Sequence, residues 1–167
     1  MSIPKKLQKF LKRNKVYYQI LVHPRTVSAA QTAEVEHVPG KEIAKVVMVK
    51  AGKKNVMTVI PGDSRLDLLK LSSVLGTSDL RVEEEKEFQD LFPDCEIGAM
   101  PPVGSLYQLS CYVDQGLAGE KEIFFNGGNH EETIRVYTKD FIRAAKAVTG
   151  DFAVRDHLTG VKKRVLS

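Results

Sequence analysis

The nine-residue segment EIAKVVMVK, from Glu42 to Lys50, constrains the fold of this chain more than any other stretch. It is rich in valine and lies between Pro39-Gly40 and Ala51-Gly52, a pattern typical of a β-strand bounded by turns. Because successive side chains of a strand point to opposite faces, apolar residues at both odd and even positions predict a strand that is buried on both faces. Such a strand needs other elements packed above and below it.

Lys45 interrupts one apolar row of this strand, which it shares with Ile43, Val47 and Val49. A buried ammonium group is costly unless it is paired, lines a hydrated cavity or loses its proton. Two interpretations are open from the residues alone. Lys45 either extends past an edge and keeps its charge in water, or it projects into a pocket and holds a polar substrate there.

The hydrophobic periodicity of the whole chain predicts the α+β class. Helices are predicted over residues 3–15, 26–37, 63–75, 83–91 and 138–147, with strands over 16–22, 42–50, 56–60, 108–113, 122–126 and 133–137. Thr26 or Ser28, Asp63 or Ser64, and Thr138 are the predicted helix N-caps. Hairpins mixed with helices favour a mixed, curved, barrel-like sheet flanked by helices. Residues 1–147 are predicted to form one domain, and residues 148–167 a loosely ordered C-terminal tail.

The composition is that of one globular domain, since 43% of the 167 residues are hydrophobic and 28% are charged. The N-terminus lacks the continuous apolar region of a secretory signal, and no run approaches the roughly 20 apolar residues of a membrane span. Cys95 and Cys111 occur without a CxxC motif, as expected for reduced thiols. We therefore expect a cytoplasmic protein that does not associate with membranes.

Basic residues cluster although the net charge is only +4. Residues 5–15 contain six lysines and arginines and no acid, Lys50, Lys53 and Lys54 surround a turn, and residues 162–164 are KKR. These clusters are either solvated faces or a surface that meets a phosphate backbone.

The common catalytic signatures do not occur in this sequence. There is no GxSxG elbow, P-loop or dinucleotide-binding glycine fingerprint, and the four histidines lack metal-ligand spacing, so neither a metal nor a cofactor is expected. Asp94 and Glu96 disfavour Cys95 as a nucleophile because adjacent negative charge raises the thiol pKa. Two irregular segments remain, IGAMPPVG at Ile97–Gly104 and NGGNH at Asn126–His130. Each suits either a tight turn or a rigid backbone that orients a small polar ligand.

Five short motifs follow one another along the chain: HPR at 23–25, AK at 44–45, FPDCEIGAMPPVG at 92–104, VD at 113–114 and FNGGNH at 125–130. In this combination the chain resembles the YbaK-like family, the aminoacyl-tRNA deacylases related to the editing domain of bacterial prolyl-tRNA synthetases. The likeness covers about residues 3–147. The family fold is a mixed α/β domain around a curved, barrel-like sheet, in agreement with the predicted elements.

The resemblance implies an enzyme, a free-standing trans-editing deacylase that hydrolyses the ester between a wrong amino acid and tRNA, chiefly tRNA for proline. It implies that Lys45 is the essential catalytic residue, that Gly98 lines the site and that His130 shapes the amino-acid pocket. The expected substrate-binding residues, all from the matching motifs, are His23, Gly98, Pro101, Pro102, Gly104, Asp114, Asn126, Gly127, Gly128 and His130.

Three residues depart from those frequent in the family: Val46 replaces threonine, Val103 replaces phenylalanine and Gly127 replaces alanine. These three departures are expected to affect which amino acid the pocket accepts more than the reaction itself. A pocket excludes larger side chains more readily than it resolves small differences, which are worth roughly 1–3 kcal/mol per methylene. We therefore expect a small substrate side chain such as alanine, cysteine or serine, with proline excluded.

The expected partners are the aminoacylated acceptor end of tRNA and a prolyl-tRNA synthetase. Lys50, Lys53 and Lys54 are the expected tRNA contacts, because RNA helices are bound largely through phosphate and shape. Two alternatives remain open. One is a non-catalytic module of the same fold that binds tRNA or a synthetase, and the other is a hydrolase of small activated esters.

Overall fold

A computed structural model describes residues 2–156 of the chain. Its α-helices are α1 (Lys5–Arg13), α2 (Ala29–Glu36), α3 (Leu68–Leu75), α4 (Glu85–Phe88), α5 (Gln115–Ala118) and α6 (Thr138–Ala145). Its strands are β1 (Tyr18–Val22), β2 (Ala44–Ala51), β3 (Lys54–Pro61), β4 (Ser64–Leu66), β5 (Leu80–Val82), β6 (Ser110–Asp114), β7 (Glu122–Asn126), β8 (Glu132–Tyr137), β9 (Val148–Gly150) and β10 (Ala153–Arg155). Short 3-10 helices span Gly40–Glu42, Gln89–Leu91 and Gly104–Tyr107.

The strands form three sheets, and both parallel and antiparallel pairs occur. The largest has the order β5-β2-β3-β6-β9, in which β2 pairs antiparallel with β3 and β5 while β6 pairs parallel with β3 and β9. The second is the antiparallel sheet β1-β8-β7, and the third is the pair β10-β4. The predicted mixed α+β class is thus confirmed, whereas barrel-like curvature stays a prediction.

Strand β2 is packed on both faces, as its sequence predicted. Met48 belongs to the main hydrophobic core, while Val49 on the opposite face packs in a second cluster with Leu71 and Phe152. The strand begins at Ala44, two residues later than predicted, because Gly40–Glu42 form a 3-10 helix. The predicted hairpin with β3 is also present, and Ala51 pairs with Lys54 across its turn.

The region after β3 differs from the single helix predicted over residues 63–75. Its first part, Ser64–Leu66, is strand β4, and the helix begins only at Leu68. Asp67 is the N-cap, instead of Asp63 or Ser64, and its carboxylate accepts a hydrogen bond from the Lys70 backbone N–H at 3.0 Å. The physical reason is tertiary: β10 pairs with β4 and satisfies its backbone groups, which local propensity does not anticipate.

Two other predicted helices also differ in detail. The helix predicted over 83–91 is the single turn α4 followed by a 3-10 turn. Thr138 is the first residue of α6 instead of its cap, and its buried hydroxyl has no hydrogen-bond partner among residues 2–156. In contrast, Ser28 caps α2 as predicted, by accepting from the Gln31 N–H.

The segment after α6 is docked on the core as far as it is described. Residues 148–150 and 153–155 are strands, and Phe152 between them is fully buried. Burying a phenylalanine side chain contributes roughly 1.5–3 kcal/mol, so this segment is an integral part of the fold. Here the structure differs from the expected loose tail; residues 157–167 of that prediction lie outside the described residues.

Candidate active site

A cleft of about 450 Å3 opens beside the first residues of β2. Residues from distant parts of the chain line it: Val27, Ser28, Ala29, Ala30, Ile43, Ala44, Lys45, Val46, Gly62, Gly98, Met100, Asn126 and His130. Four residues predicted for the site therefore come together here, namely Lys45, Gly98, Asn126 and His130. The cleft also includes Val46, one of the three positions where the chain departs from the family pattern.

Lys45 is half-buried and its side chain borders the cleft, as the second interpretation of the sequence required. Its Nζ donates a hydrogen bond to the backbone carbonyl of Ser64 at 2.9 Å. Burial lowers the pKa of Lys45, while the nearby carboxylates of Asp63 and Asp156 raise it. An ammonium group has three N–H donors, so the bond to Ser64 fixes its direction and leaves donors for a substrate.

His130 and Gly98 face each other in one wall of the cleft. The His130 Nε2 lies 2.9 Å from the Ile97 carbonyl oxygen, so this nitrogen carries the proton and donates it. The His130 backbone N–H donates to the Glu96 carboxylate at 2.8 Å. Gly98 has φ +85°, and a Cβ there would lie at an ordinary 3.5 Å from the His130 ring. The backbone conformation, more than the space, therefore requires glycine at this position.

The first turn of α2 and the two residues before it also line the cleft. The Ser28 hydroxyl accepts from the Gln31 N–H at 3.2 Å, and the Gln31 side chain accepts from the Val27 N–H at 2.8 Å. This reciprocal cap fixes the start of the helix at the cleft. The N-terminus of a helix carries a partial positive charge, so together with Lys45 it makes the cleft suited to negative charge.

Asn126, the last residue of β7, contributes a polar group to the cleft wall. Its Oδ1 is buried and has no hydrogen-bond partner among residues 2–156. Buried polar atoms are nearly always paired in folded proteins. This atom is therefore an acceptor that the fold leaves unsatisfied at the edge of the cleft.

Several other predicted substrate-binding residues do not line the cleft, and they have structural contacts instead. The His23 Nε2 bonds to the Thr133 hydroxyl at 2.7 Å, inside the protein. Gly104 allows a close backbone approach, since a Cβ there would come within 2.6 Å of the Leu109 carbonyl oxygen. Pro101, Pro102, Gly127 and Gly128 are buried outside the cleft lining.

Asp114 is the clearest departure from the expected substrate contacts. It is buried, and one carboxylate oxygen accepts hydrogen bonds from the backbone N–H groups of Phe152 and Ala153, both at 2.9 Å. The other oxygen accepts from the Gly116 N–H at 2.9 Å and caps α5. The side chain thus anchors the segment that follows α6.

Cys95 has the properties of a structural thiol. It is buried, and its Sγ lies 3.2 Å from the Tyr107 hydroxyl. Burial raises the pKa of Cys95 to about 12; the Tyr107 hydrogen bond lowers it and the Asp94 charge raises it. The prediction that this cysteine is a poor nucleophile agrees with these surroundings, although burial outweighs the acidic neighbours.

The lysines of the β2–β3 hairpin lie at the far end of β2 from the cleft. Lys53 and Lys54 are exposed, and Lys50 Nζ donates to the Asn55 side chain at 3.2 Å. At about 3.3 Å per residue, the hairpin turn lies roughly 15–30 Å along the strand from Lys45. An RNA that reached both places would have to follow the length of this hairpin.

Sequence reasoning missed the groups that fix Lys45. The Ser64 carbonyl is a backbone acceptor 19 residues away, and no side-chain pattern marks it. Asp63 was interpreted as a helix cap, and Asp156 falls in the predicted tail. The first turn of α2 carried a capping signal but no indication that it faces a cleft.

The sequence and the fold are those of a known class of domain. The sequence model of the aminoacyl-tRNA editing domain family matches residues 23–144, so the chain belongs to this family. This confirms the resemblance drawn from the five motifs.

Among curated proteins, the chain is similar to two proline–tRNA ligases. The one from Thermosipho africanus is 34% identical over 104 residues, which are 62% of this chain and 18% of the ligase. The one from Thiobacillus denitrificans is 31% identical over 81 residues, which are 48% of this chain and 14% of the ligase. The chain therefore matches less than a fifth of the length of these relatives.

Among solved structures, one described as a candidate trans-editing enzyme for prolyl tRNA synthetase superposes with a TM-score of 0.78 and 24% identity. The match covers 92% of this chain and 99% of that one. Another, described as a hypothetical protein, gives a TM-score of 0.82 and 24% identity over 90% of this chain and 100% of that one. Both show that the fold is shared.

No helix within residues 2–156 has the length and apolar character needed to cross a membrane.

Proposed function

We propose that this protein is a trans-editing deacylase that hydrolyses the ester of a mischarged aminoacyl-tRNA, with a small amino acid on tRNA for proline as the substrate. The observation that carries the proposal is the half-buried Lys45 ammonium, which the Ser64 carbonyl holds at 2.9 Å at the edge of a cleft in an editing-domain fold.

The chemistry asks little of the protein, because an aminoacyl ester is already activated. Water attacks the ester carbonyl carbon, the carbonyl oxygen gains negative charge, and the bond to the ribose oxygen of the terminal adenosine then breaks. The Lys45 ammonium and the first turn of α2 stabilise that developing charge, which is worth about 3–4 kcal/mol for a well-placed donor. The Gly98 loop orients the ester, and Asn126 Oδ1, which has no hydrogen-bond partner within residues 2–156, offers an acceptor for the substrate's ammonium group.

The cleft walls favour a small, apolar or weakly polar side chain. Ala29, Ala30 and Ala44 line the cleft with single methyl groups, and Val46 adds an apolar wall. Within residues 2–156, no carboxylate lines the cleft, so these residues offer a basic amino acid no charged partner. Alanine, cysteine and serine fit this description, and proline is the residue to be excluded.

The basic hairpin supplies the tRNA contact in this proposal. Lys50, Lys53 and Lys54 attract the phosphates of the acceptor stem, while the terminal adenosine reaches the cleft. Prolyl-tRNA synthetase is the proposed source of the mischarged tRNA and the proposed protein partner, and the cytoplasm is the proposed location.

The decisive experiment is deacylation of tRNA for proline, charged separately with alanine, cysteine, serine and proline. Wild type, Lys45→Ala and Lys41→Ala are compared, because Lys41 is an exposed lysine only four residues earlier in the chain. We expect hydrolysis of at least one non-cognate ester, no hydrolysis of prolyl-tRNA, loss of activity in Lys45→Ala and unchanged activity in Lys41→Ala.

The other outcomes separate the alternatives. Intact tRNA binding without hydrolysis of any ester would replace the enzyme with a binding module. Hydrolysis of alanine methyl ester at the same efficiency as alanyl-tRNA would indicate a small-ester hydrolase. A substrate ending in 2′-deoxyadenosine or 3′-deoxyadenosine distinguishes attack by water alone from attack assisted by the neighbouring ribose hydroxyl.

A further inference from the structure

The segment that follows α6 lies beyond residues 23–144, the part of the chain that the family's sequence model matches. It is nevertheless held by a buried side chain. One oxygen of Asp114 accepts both the Phe152 and the Ala153 backbone N–H groups, and its other oxygen accepts the Gly116 N–H. Three backbone donors on one carboxylate fix the position at which β10 begins.

Strand β10 in turn holds the acceptor of the Lys45 ammonium. It pairs antiparallel with β4 in a register that sets Arg155 opposite Ser64. A further backbone bond, from the Asp156 N–H to the Asp63 carbonyl at 3.0 Å, continues this pairing. Ser64 is the residue whose carbonyl receives the Lys45 Nζ, so its position depends on β10.

The same two strands carry the charges around Lys45. Asp63 precedes β4 and Asp156 follows β10, and both carboxylates favour the charged form of the lysine. Arg155 of β10 pairs with Asp63 at 3.4 Å, which moderates the negative charge on that side. His130 lies in the wall of the same cleft and donates its Nε2 proton to a backbone carbonyl.

We propose that Asp114 is a positioning residue for the reaction: through the backbone of residues 152–153 it sets β10, and β10 sets the Ser64 carbonyl that aims the Lys45 ammonium. The inference rests on the proposed function. It gives Asp114 a role although its side chain is not among the residues that line the cleft, and it makes β10 a support for the Lys45 ammonium.

Asparagine is an informative replacement because it keeps the shape of Asp114. An amide has one acceptor oxygen in place of two, so at least one of the three backbone donors loses its partner. We expect kcat for deacylation of the mischarged tRNA to fall about tenfold, with KM changed less than about twofold, because the tRNA contacts are untouched.

A readout that needs no tRNA follows the lysine itself. Proton exchange of the Lys45 ammonium, measured by 15N NMR and assigned with Lys45→Arg, is slowed by its bond to Ser64. Asp114→Asn is expected to accelerate this exchange. Ala153→Pro removes the Ala153 backbone N–H that donates to Asp114, and it is also expected to accelerate the exchange. This second variant keeps the test valid if Asp114→Asn folds poorly.

The Asp156 carboxylate, just after β10, allows a second experiment with a matched control. Asp156→Asn is expected to lower the Lys45 pKa, because it removes one of the two nearby negative charges that favour the charged form of the lysine. Asp151→Asn makes the same chemical change in the same segment, but Asp151 pairs with Lys70 at the surface and should leave the Lys45 pKa unchanged.

Unchanged Lys45 exchange in folded Asp114→Asn and Ala153→Pro would overturn the positioning role, whatever happens to activity. A tenfold rise in KM in Asp114→Asn, with kcat unchanged, would also overturn the positioning role and would indicate that Asp114 acts in substrate binding. If wild type hydrolyses no ester but Lys45 exchange responds as expected, the proposed function fails while the structural link between Asp114 and Lys45 stands.

Discussion

Two ionisable side chains, Lys45 in β2 and Glu83 beside β2, are buried in different ways. Lys45 is half-buried, but its ammonium has the Ser64 carbonyl as a partner and the Asp63 and Asp156 carboxylates nearby. Glu83 follows β5, and its backbone N–H donates to the Met48 carbonyl. It is only 6% exposed, and neither of its carboxylate oxygens has a hydrogen-bond partner among residues 2–156.

The difference distinguishes the charge of Lys45, for which we propose a role in the reaction, from the charge of Glu83, which only lowers stability. Burial raises the pKa of Glu83 and the nearby Lys50 charge lowers it, so burial dominates. Among the described residues that line the cleft, Lys45 is present and Glu83 is not. The two sites therefore predict opposite responses when the charge is removed: activity should depend on Lys45 and stability on Glu83.

The largest expected effect is that of Lys45→Met, which keeps the length of the apolar stem. Deacylation should fall by about 100- to 1,000-fold, because a donor to the developing oxyanion is worth about 3–4 kcal/mol. The free energy of unfolding, measured with urea, should change by less than about 1 kcal/mol, since the lost hydrogen bond to Ser64 is offset by relief of lysine desolvation. Retained activity would show that Lys45 has no part in the mechanism, and the proposed functional difference between Lys45 and Glu83 would be wrong.

Glu83→Gln should have the opposite pattern. Because the folded-state pKa of Glu83 is raised above its unfolded value, wild type loses stability as the pH rises from the unfolded pKa, about 4.3, through the folded pKa. The variant avoids that loss, so urea unfolding should show a gain in the free energy of unfolding at pH 7 that disappears near pH 4. Exposed Glu85→Gln is the control and should show no such pH-dependent gain; deacylation should be unchanged in both variants.

Gly98→Ala tests the wall of the cleft that faces His130. Alanine at φ +85° is strained by about 1–2 kcal/mol, and relief of this strain shifts the loop away from His130. We expect about a tenfold loss of kcat/KM. Gly119→Ala is the matched control, because Gly119 has φ −82° and an added Cβ would make only ordinary contacts. Equal losses in both variants would indicate a general loss of stability.

The smallest expected effect is on tRNA capture. Replacing Lys50, Lys53 and Lys54 together by alanine should raise KM severalfold at low salt and leave kcat unchanged, and the difference should shrink as salt increases. A control triple of exposed lysines, Lys41, Lys121 and Lys139, should have a smaller effect. If both triples behave alike, overall charge steers the tRNA and the hairpin has no special role.

The sequence predicted those parts of the molecule in which local pattern and tertiary packing agree. The valine-rich strand, its hairpin with β3 and the Ser28 cap all follow from residue types in direct succession. Lys45 stood out because a charge interrupted an apolar row, and four of the predicted site residues do meet at one cleft.

The parts that the sequence did not reveal depend on backbone groups distant along the chain. The residues of β4 were predicted to begin a helix because the strand that pairs with them, β10, comes about 90 residues later. Asp114 belongs to a motif and was interpreted as a substrate contact, yet its three partners are backbone N–H groups, which every residue but proline carries. The motif singled out Asp114, but only its hydrogen bonds in the structure show that it anchors the backbone.

The pairing of β4 with β10 also bears on when a newly made chain becomes competent. Lys45 leaves the ribosome early, but the strand that steadies its carbonyl partner is added more than 100 residues later, at roughly 5–20 residues per second. A nascent chain in which β10 is still inside the ribosome has Lys45 and the residues that line the cleft, but it lacks the pairing of β10 with β4. If β10 positions the Ser64 carbonyl as proposed, the reactive geometry forms only after β10 has left the ribosome, and unfinished polypeptides would have little capacity to hydrolyse aminoacyl-tRNA.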